Sequence, residues 1–171
     1  MAAKTVAMLV EQNYQELEVW YPVYRLREAS HRVLLVGPEK GKSYPSKLGY
    51  PAIADTAAGD ITAADLDGLI VPGGFAPDYI RRSAAMLDLV KGIDAAKKPL
   101  AAVCHGPWVL CSTPALKGKT ATCFYAIKDD VINAGATYVD REVCIDGHLI
   151  TSRKPDDLPA FTKAFLEMLT G

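Results

Sequence analysis

Apolar residues along this chain fall into two alternating patterns. Short runs at 5–10, 33–36, 68–71 and 100–103 are apolar at nearly every position, as in strands covered on both faces. Between them, apolar positions recur at helical spacing. Leu17, Trp20, Tyr21, Tyr24 and Leu26 predict a helix over 15–30, and Ile80, Met86, Leu87, Leu89, Val90 and Ile93 predict one over 78–96. Leu158, Phe161, Phe165, Leu166 and Leu169 predict a last amphipathic helix over 156–169, capped by Asp156 or Asp157. Shorter helices are predicted at 62–67, where Thr62 and Asp65 have capping-box spacing, at 106–112, and at 128–135, closed by Gly135. Residues 119–123, 138–139, 142–145 and 149–152 read as short strands, with Asp146 and Gly147 as a hairpin turn. The stretch 38–50, rich in glycine and proline, reads as a surface excursion before a short extended segment over 51–56.

Strand and helix alternate, which predicts an α/β fold built on a doubly wound, mostly parallel sheet. In such sheets ligands bind at the carboxyl ends of the strands. Three stretches end strands there: 11–18, 72–78 and 104–107. No internal repeat, low-complexity segment or linker breaks the pattern, so residues 1–171 read as one domain.

Composition excludes several functions. The 171 residues are half hydrophobic, enough for a sizeable core, and the net charge is −1 with acids and bases interspersed. Neither a nucleic-acid-binding stripe nor a polybasic membrane patch is present. No apolar run approaches the roughly 20 residues of a membrane span, and the N-terminus lacks a cleavable signal. The expectation is a soluble cytoplasmic protein with neither membrane nor nucleic acid as partner. The four cysteines and three histidines lack metal-ligand spacing, so no metal site is expected and most thiols should be free and buried. His31 and His148 sit in polar, turn-like contexts and are expected at the surface.

Cys104 has a different context. It ends the 100–103 strand, and His105, Gly106 and Pro107 lead from it into a helix. A nucleophile on a sharp strand-to-helix turn is lifted out of the sheet, with backbone N–H groups aimed at its ligand. A helix N-terminus and a neighbouring histidine favour the thiolate over a thiol whose ordinary pKa is about 8.5. The alternative is an inert buried thiol beside an ordinary helix-start histidine. The N–H of His105 is one natural oxyanion donor, and Gly74 or its neighbour can supply a second if the Gly73–Gly74 turn lies opposite. By itself that turn could equally be an ordinary tight connection.

Acid placement is less settled. Adjacent side chains on a tight turn diverge, so His105 can serve as base only if the turn returns its ring to the sulfur and a carboxylate orients the other nitrogen. No local acid is placed to do so. Glu18, in the first turn of the 15–30 helix, is either a solvated partner of the helix dipole or a group bonded to the sulfur, protonated beside a thiolate. Trp20 and Trp108 read as core or subunit-contact residues, and Lys128, Asp129 and Asp130 as a solvated helix start.

Five stretches together resemble a known family. They are Glu16-Leu17-Glu18-Val19-Trp20-Tyr21-Pro22; Leu69-Ile70-Val71-Pro72-Gly73-Gly74 with Ala76 and Pro77; Ala102-Val103-Cys104-His105-Gly106-Pro107; the run 127–135; and Thr151-Ser152-Arg153 with Pro155, Asp157 and Leu158. In family order and across nearly the whole chain, they are similar to the DJ-1/PfpI superfamily of the class I glutamine amidotransferase-like fold, nearest its PfpI-type intracellular proteases (peptidase C56). The resemblance implies a flavodoxin-like sandwich with Cys104 on a nucleophile elbow, Glu18 contacting its sulfur, His105 as base, and Gly74 and His105 as oxyanion donors. It implies that Asp78 of a neighbouring subunit orients His105, within homodimers that PfpI-like members assemble into hexamers.

By the same resemblance no cofactor is required. Substrates are small carbonyl compounds or peptide and amide bonds, with peptidase or amidase, glyoxalase III-type and deglycase activities in the family, often in stress response. Other members are redox-sensing stress proteins or chaperones acting through the oxidisable cysteine, here Cys104. Three positions depart from the PfpI pattern: Asp78 for the usual glutamate, Phe124 for a site tyrosine, and Gln15 for an acid.

Overall fold

The computed structural model describes residues 2–171. Its centre is a seven-stranded sheet. β1 (Thr5–Leu9) lies between β2 (Arg32–Gly37) and β6 (Gly68–Val71), all parallel. β7 (Leu100–Val103) continues the parallel run beyond β6, and β11 (Leu149–Ser152) lies beyond β7. β10 (Val143–Asp146) pairs antiparallel with β11 at one edge, and β5 (Thr56–Ala57) pairs with β2 at the other. The order β10-β11-β7-β6-β1-β2-β5 makes this a doubly wound, flavodoxin-like α/β sandwich. The apolar runs explain the arrangement: every residue of β6 and β7 is buried, as expected of strands covered on both faces.

The winding reverses between β1 and β6, because the chain runs outward from β1 to β2 and then returns to β6. Such a reversal opens a crevice at the carboxyl ends of the strands. The segments after β1, β6 and β7 therefore converge on one point.

Helices cover the sheet. α1 (Glu16–Glu28) packs with α6 (Leu158–Thr170), while α3 (Ala84–Ala95) packs on β6 and β7. The stretch 38–50 supplies β3 (Ser43–Pro45), which forms an antiparallel hairpin with β4 (Pro51–Ile53) apart from the main sheet. β8 (Thr120–Ala121) and β9 (Thr137–Tyr138) form a separate parallel pair.

Several local expectations change. The helix predicted over 78–96 is two helices, α2 (Ala76–Ile80) and α3, because the Ser83 side chain accepts from Met86 N and starts a new helix. The helix after Cys104, α4, spans only Pro107–Leu110. Asp157 occupies the N-cap of α6 but does not cap it; its carboxylate is held by the Arg153 guanidinium at 2.9 Å. His31 and His148 are buried, each 8% exposed. His31 Nδ1 accepts from Lys4 N at 3.2 Å, and His148 Nε2 lies 2.7 Å from Asp94 Oδ1, tying the β10–β11 turn to the end of α3. Polar sequence context hid both because their partners lie far away along the chain. Thr62 and Asp65 do form a reciprocal capping box, on a single 3₁₀ turn over Ala63–Asp65.

Candidate active site

Cys104 follows β7 directly and has a φ of 61°. A side chain in that left-handed region costs roughly 1–2 kcal/mol, so the surroundings must hold it. Cys104 N donates to Ser152 O at 3.1 Å, Cys104 O accepts from Phe124 N at 2.9 Å, and Gly106 N donates to Val103 O at 2.7 Å. Position 106 is glycine because a Cβ there would sit 2.6 Å from Val71 O. The turn is thus wedged between β6, β11 and the segment after β8.

His105 does return to the sulfur. Its Nδ1 lies 3.3 Å from Cys104 Sγ. The ring is held by Phe124, stacked at 4.8 Å between centroids, and by the edge of Trp108 at 5.6 Å. Trp108 is itself fixed, its Nε1 donating to Asp130 Oδ2 at 2.9 Å. Asp130 therefore has a structural partner and is not merely part of a solvated helix start. Burial, with a smaller push from the Lys47 charge, keeps His105 below the ordinary imidazole pKa. A neutral ring near neutral pH can accept a proton from the thiol.

Glu18 lies behind the sulfur, wholly buried. Gln15 accepts from Glu18 N and starts α1, which points the Glu18 side chain inward. Glu18 Oε2 accepts from Gly73 N at 2.6 Å, while Oε1 has no hydrogen-bond partner among the described residues. Burial raises the Glu18 pKa to about 7, against the smaller opposing effects of the Gly73 N–H and the Cys104 thiol. The Gly73 backbone passes so close that a Cβ on it would lie 2.5 Å from Glu18 Oε2, 2.8 Å from Cys104 Cβ and 2.9 Å from His105 N. Gly74, with φ at +72°, completes the turn; its N–H and that of His105 are the backbone donors facing the Cys104 sulfur.

Cys104 itself does not rest as the readily formed thiolate expected from its sequence context. Burial, followed by the charge of the nearby Glu18 carboxyl, pushes its thiol well above the ordinary range, against the pull of the two N–H groups. The helix beyond it is a single turn, too short for much of a macrodipole. The thiol therefore needs a base, and His105 is the group in reach.

The acid expected to orient His105 is not found beside it among the described residues. Asp78 lies on α2, exposed, and its carboxylate pairs with Arg82 rather than with His105. No carboxylate pairs with His105 among the described residues. No group of three or more possible metal ligands gathers among those residues either.

Phe124 stands where the family resemblance implies a site tyrosine, and the structure places its ring against His105. Lys47 lies in the excursion over 38–50 and carries no motif that marks it as part of this site.

A family model described as the DJ-1/PfpI family matches residues 4–168. The chain belongs to the DJ-1/PfpI family. Among its relatives, the "Putative cysteine protease YraA" of Bacillus subtilis is 41% identical over 98% of this chain and 99% of that protein. The "Deglycase PfpI" of Pyrococcus furiosus is 35% identical over 96% of this chain and 98% of its own length. In structure, the chain matches a two-domain protein from Anabaena variabilis containing DJ-1/ThiJ/PfpI-like and ferritin-like domains, with a TM-score of 0.96 and 40% identity. That match covers 98% of this chain and 48% of the Anabaena protein, so the DJ-1/PfpI chain spans about half the length of that relative. No helix of the described residues is long and apolar enough to cross a membrane.

Proposed function

We propose that this protein is a cysteine enzyme that acts on small carbonyl or amide compounds through Cys104. The reading rests on the 3.3 Å approach of His105 Nδ1 to Cys104 Sγ on a strained elbow faced by two backbone donors. Relatives whose names read "Deglycase PfpI" and "Putative cysteine protease YraA" support it.

In the proposed reaction His105 takes the thiol proton as the sulfur attacks. A C–S bond forms and the carbonyl π electrons move onto oxygen, held by the N–H groups of His105 and Gly74. With an amide, the C–N bond then breaks, the amine leaves with the proton from His105, and water releases the acid from the thioester. With a 2-oxoaldehyde, the thiohemiacetal carbon loses its proton to a base while the adjacent carbon gains one. Water then frees a 2-hydroxy acid and the thiol, so the net change is hydration and isomerisation.

An exposed apolar surface supports assembly. Leu17 and Tyr24 on α1 and Leu48 and Tyr50 beside the β3–β4 hairpin are all more than half exposed, the kind of patch that marks an interface. In the proposed homo-oligomer Asp78 of a neighbouring chain supplies the missing partner for His105. The alternative, a redox sensor working through an exposed low-pKa thiol, is not favoured: Cys104 is 8% exposed and its thiol is pushed up.

The test is an assay of purified protein for lactate formation from methylglyoxal and for cleavage of a fluorogenic peptide amide, in parallel with Cys104→Ala. Turnover of one substrate that is lost in the variant supports the reading. Equal behaviour of the two proteins, or no turnover of either substrate, contradicts it.

A further inference from the structure

We infer that Lys47 makes the mouth of this site selective for substrates that carry a carboxylate close to the reacting carbonyl. The inference deepens the proposed cysteine chemistry and rests on that reading for its functional meaning.

Lys47 is placed by backbone, although its loop is exposed. Three segments form a small ladder across the mouth. Asn13 N donates to Pro45 O at 2.8 Å, Lys47 N donates to Tyr14 O at 2.9 Å, and Phe75 N donates to Asn13 O at 2.8 Å. Tyr14 bridges to Ser46 on one side and to Gly74 on the other. The middle segment is anchored, because Tyr14 is fully buried and its hydroxyl donates to Tyr50 O at 2.8 Å. The loop carrying Lys47 is held from a second side: Glu16 Oε1 accepts from Leu48 N at 2.7 Å and from the Ser46 hydroxyl.

The ladder sets Lys47 beside Phe75, the residue next to the oxyanion donor Gly74. Lys47 Nζ lies 5.6 Å from the centroid of the Phe75 ring, which is 62% exposed. Lys47 forms no ion pair among the described residues. Its positive charge nevertheless reaches inward, since it acts on both Glu18 and His105.

None of the other charges around the mouth forms an ion pair with Lys47. Glu16, held by Ser46 and Leu48, is an anion that Lys47 also feels but does not form an ion pair with, Asp78 is paired with Arg82, and Glu18 faces the sulfur from behind. An unpaired ammonium over an aromatic ring, next to an oxyanion turn, fits the carboxylate of a small substrate whose carbonyl reaches Cys104. A neutral carbonyl compound gains nothing from it.

The test compares alkylation of Cys104 by iodoacetate and by iodoacetamide, reagents of similar size and different charge. In both, the thiolate displaces iodide and an S–CH2 bond forms. Rates at Cys104 are read by peptide mass for wild type, Lys47→Gln, Lys47→Glu and Lys47→Arg, with melting temperatures as a check on folding. The expected result is a fall in the iodoacetate-to-iodoacetamide rate ratio of about three- to tenfold in Lys47→Gln. A larger fall is expected in Lys47→Glu and retention in Lys47→Arg, with the differences shrinking at high salt.

An unchanged ratio in both the Gln and Glu variants overturns the inference. Methylglyoxal turnover by wild type is measured alongside. Its absence, together with absence of peptide-amide cleavage, counts against the enzymatic reading and leaves the ratio as a measure of Lys47, so the two failures are distinguishable.

Discussion

The Glu18 carboxyl and the Cys104 thiol share one buried space behind Gly73, and that space cannot comfortably hold two negative charges. Each group is pushed up, Glu18 to about 7 and Cys104 further, with burial the largest cause for both. When Glu18 is ionised it opposes the thiolate. Glu18→Gln is therefore predicted to speed iodoacetamide alkylation of Cys104 several-fold at pH 8, measured as the pseudo-first-order rate at that cysteine. Slower alkylation would show that the carboxyl acts chiefly as a donor to the thiolate.

The same carboxyl gives stability a pH dependence whose sign is fixed. Glu18 has an ordinary pKa of 4.5 and is raised to about 7 in the fold. Between those values the native state holds a proton that the unfolded chain has released. Glu18 thus imposes no penalty below the lower value, and stability falls as pH rises through the window. The complete loss is about 3 kcal/mol. Denaturant unfolding of wild type against Glu18→Gln from pH 4.5 to 8 should show this downward slope in wild type and its disappearance in the variant.

Backbone strain at the elbow should be measurable. Cys104 has a φ of 61°, a conformation that suits glycine and penalises any residue with a Cβ. Cys104→Gly and Cys104→Ala both remove the sulfur, but only the first relieves the strain. The glycine variant is predicted to be about 1 kcal/mol more stable than the alanine variant by denaturant titration. Equal stabilities would place the strain elsewhere.

Asp78 tests whether the site is shared between chains. Within its own chain it pairs with Arg82 and leaves His105 without an acid. If a neighbouring copy supplies it, Cys104→Ala and Asp78→Asn each damage a different half of the site. Subunits of the two inactive variants, mixed and reassembled, should recover a fraction of wild-type turnover. No recovery in a confirmed mixed oligomer would contradict a site shared between chains.

Much of the fold was legible because its strands are buried on both faces: the unbroken apolar runs of β1, β6 and β7 announce a parallel sheet. The break at Ser83 was not, since the apolar positions on either side keep helical spacing and only the cap separates them. Within the site, the Cys104 turn and the two glycines were readable from backbone demands. The burial of Glu18 was not, because an acid in a first helical turn is usually solvated. His148 and Asp94, 54 residues apart, likewise meet only in three dimensions. Lys47 and Phe75 meet only because Tyr14 bridges their segments, a relationship that no local pattern records.

The most direct measurement is a titration of turnover against labelling. Burial raises the thiols of Cys111, Cys123 and Cys104 alike, but among the described residues only Cys104 has a histidine ring nitrogen against its sulfur. With iodoacetamide near neutral pH, one label per chain should appear on Cys104, assisted by His105, and turnover should fall in strict proportion. Full labelling of Cys104 with activity retained, or labels spread evenly over the four cysteines, would contradict the assignment of Cys104 as the nucleophile.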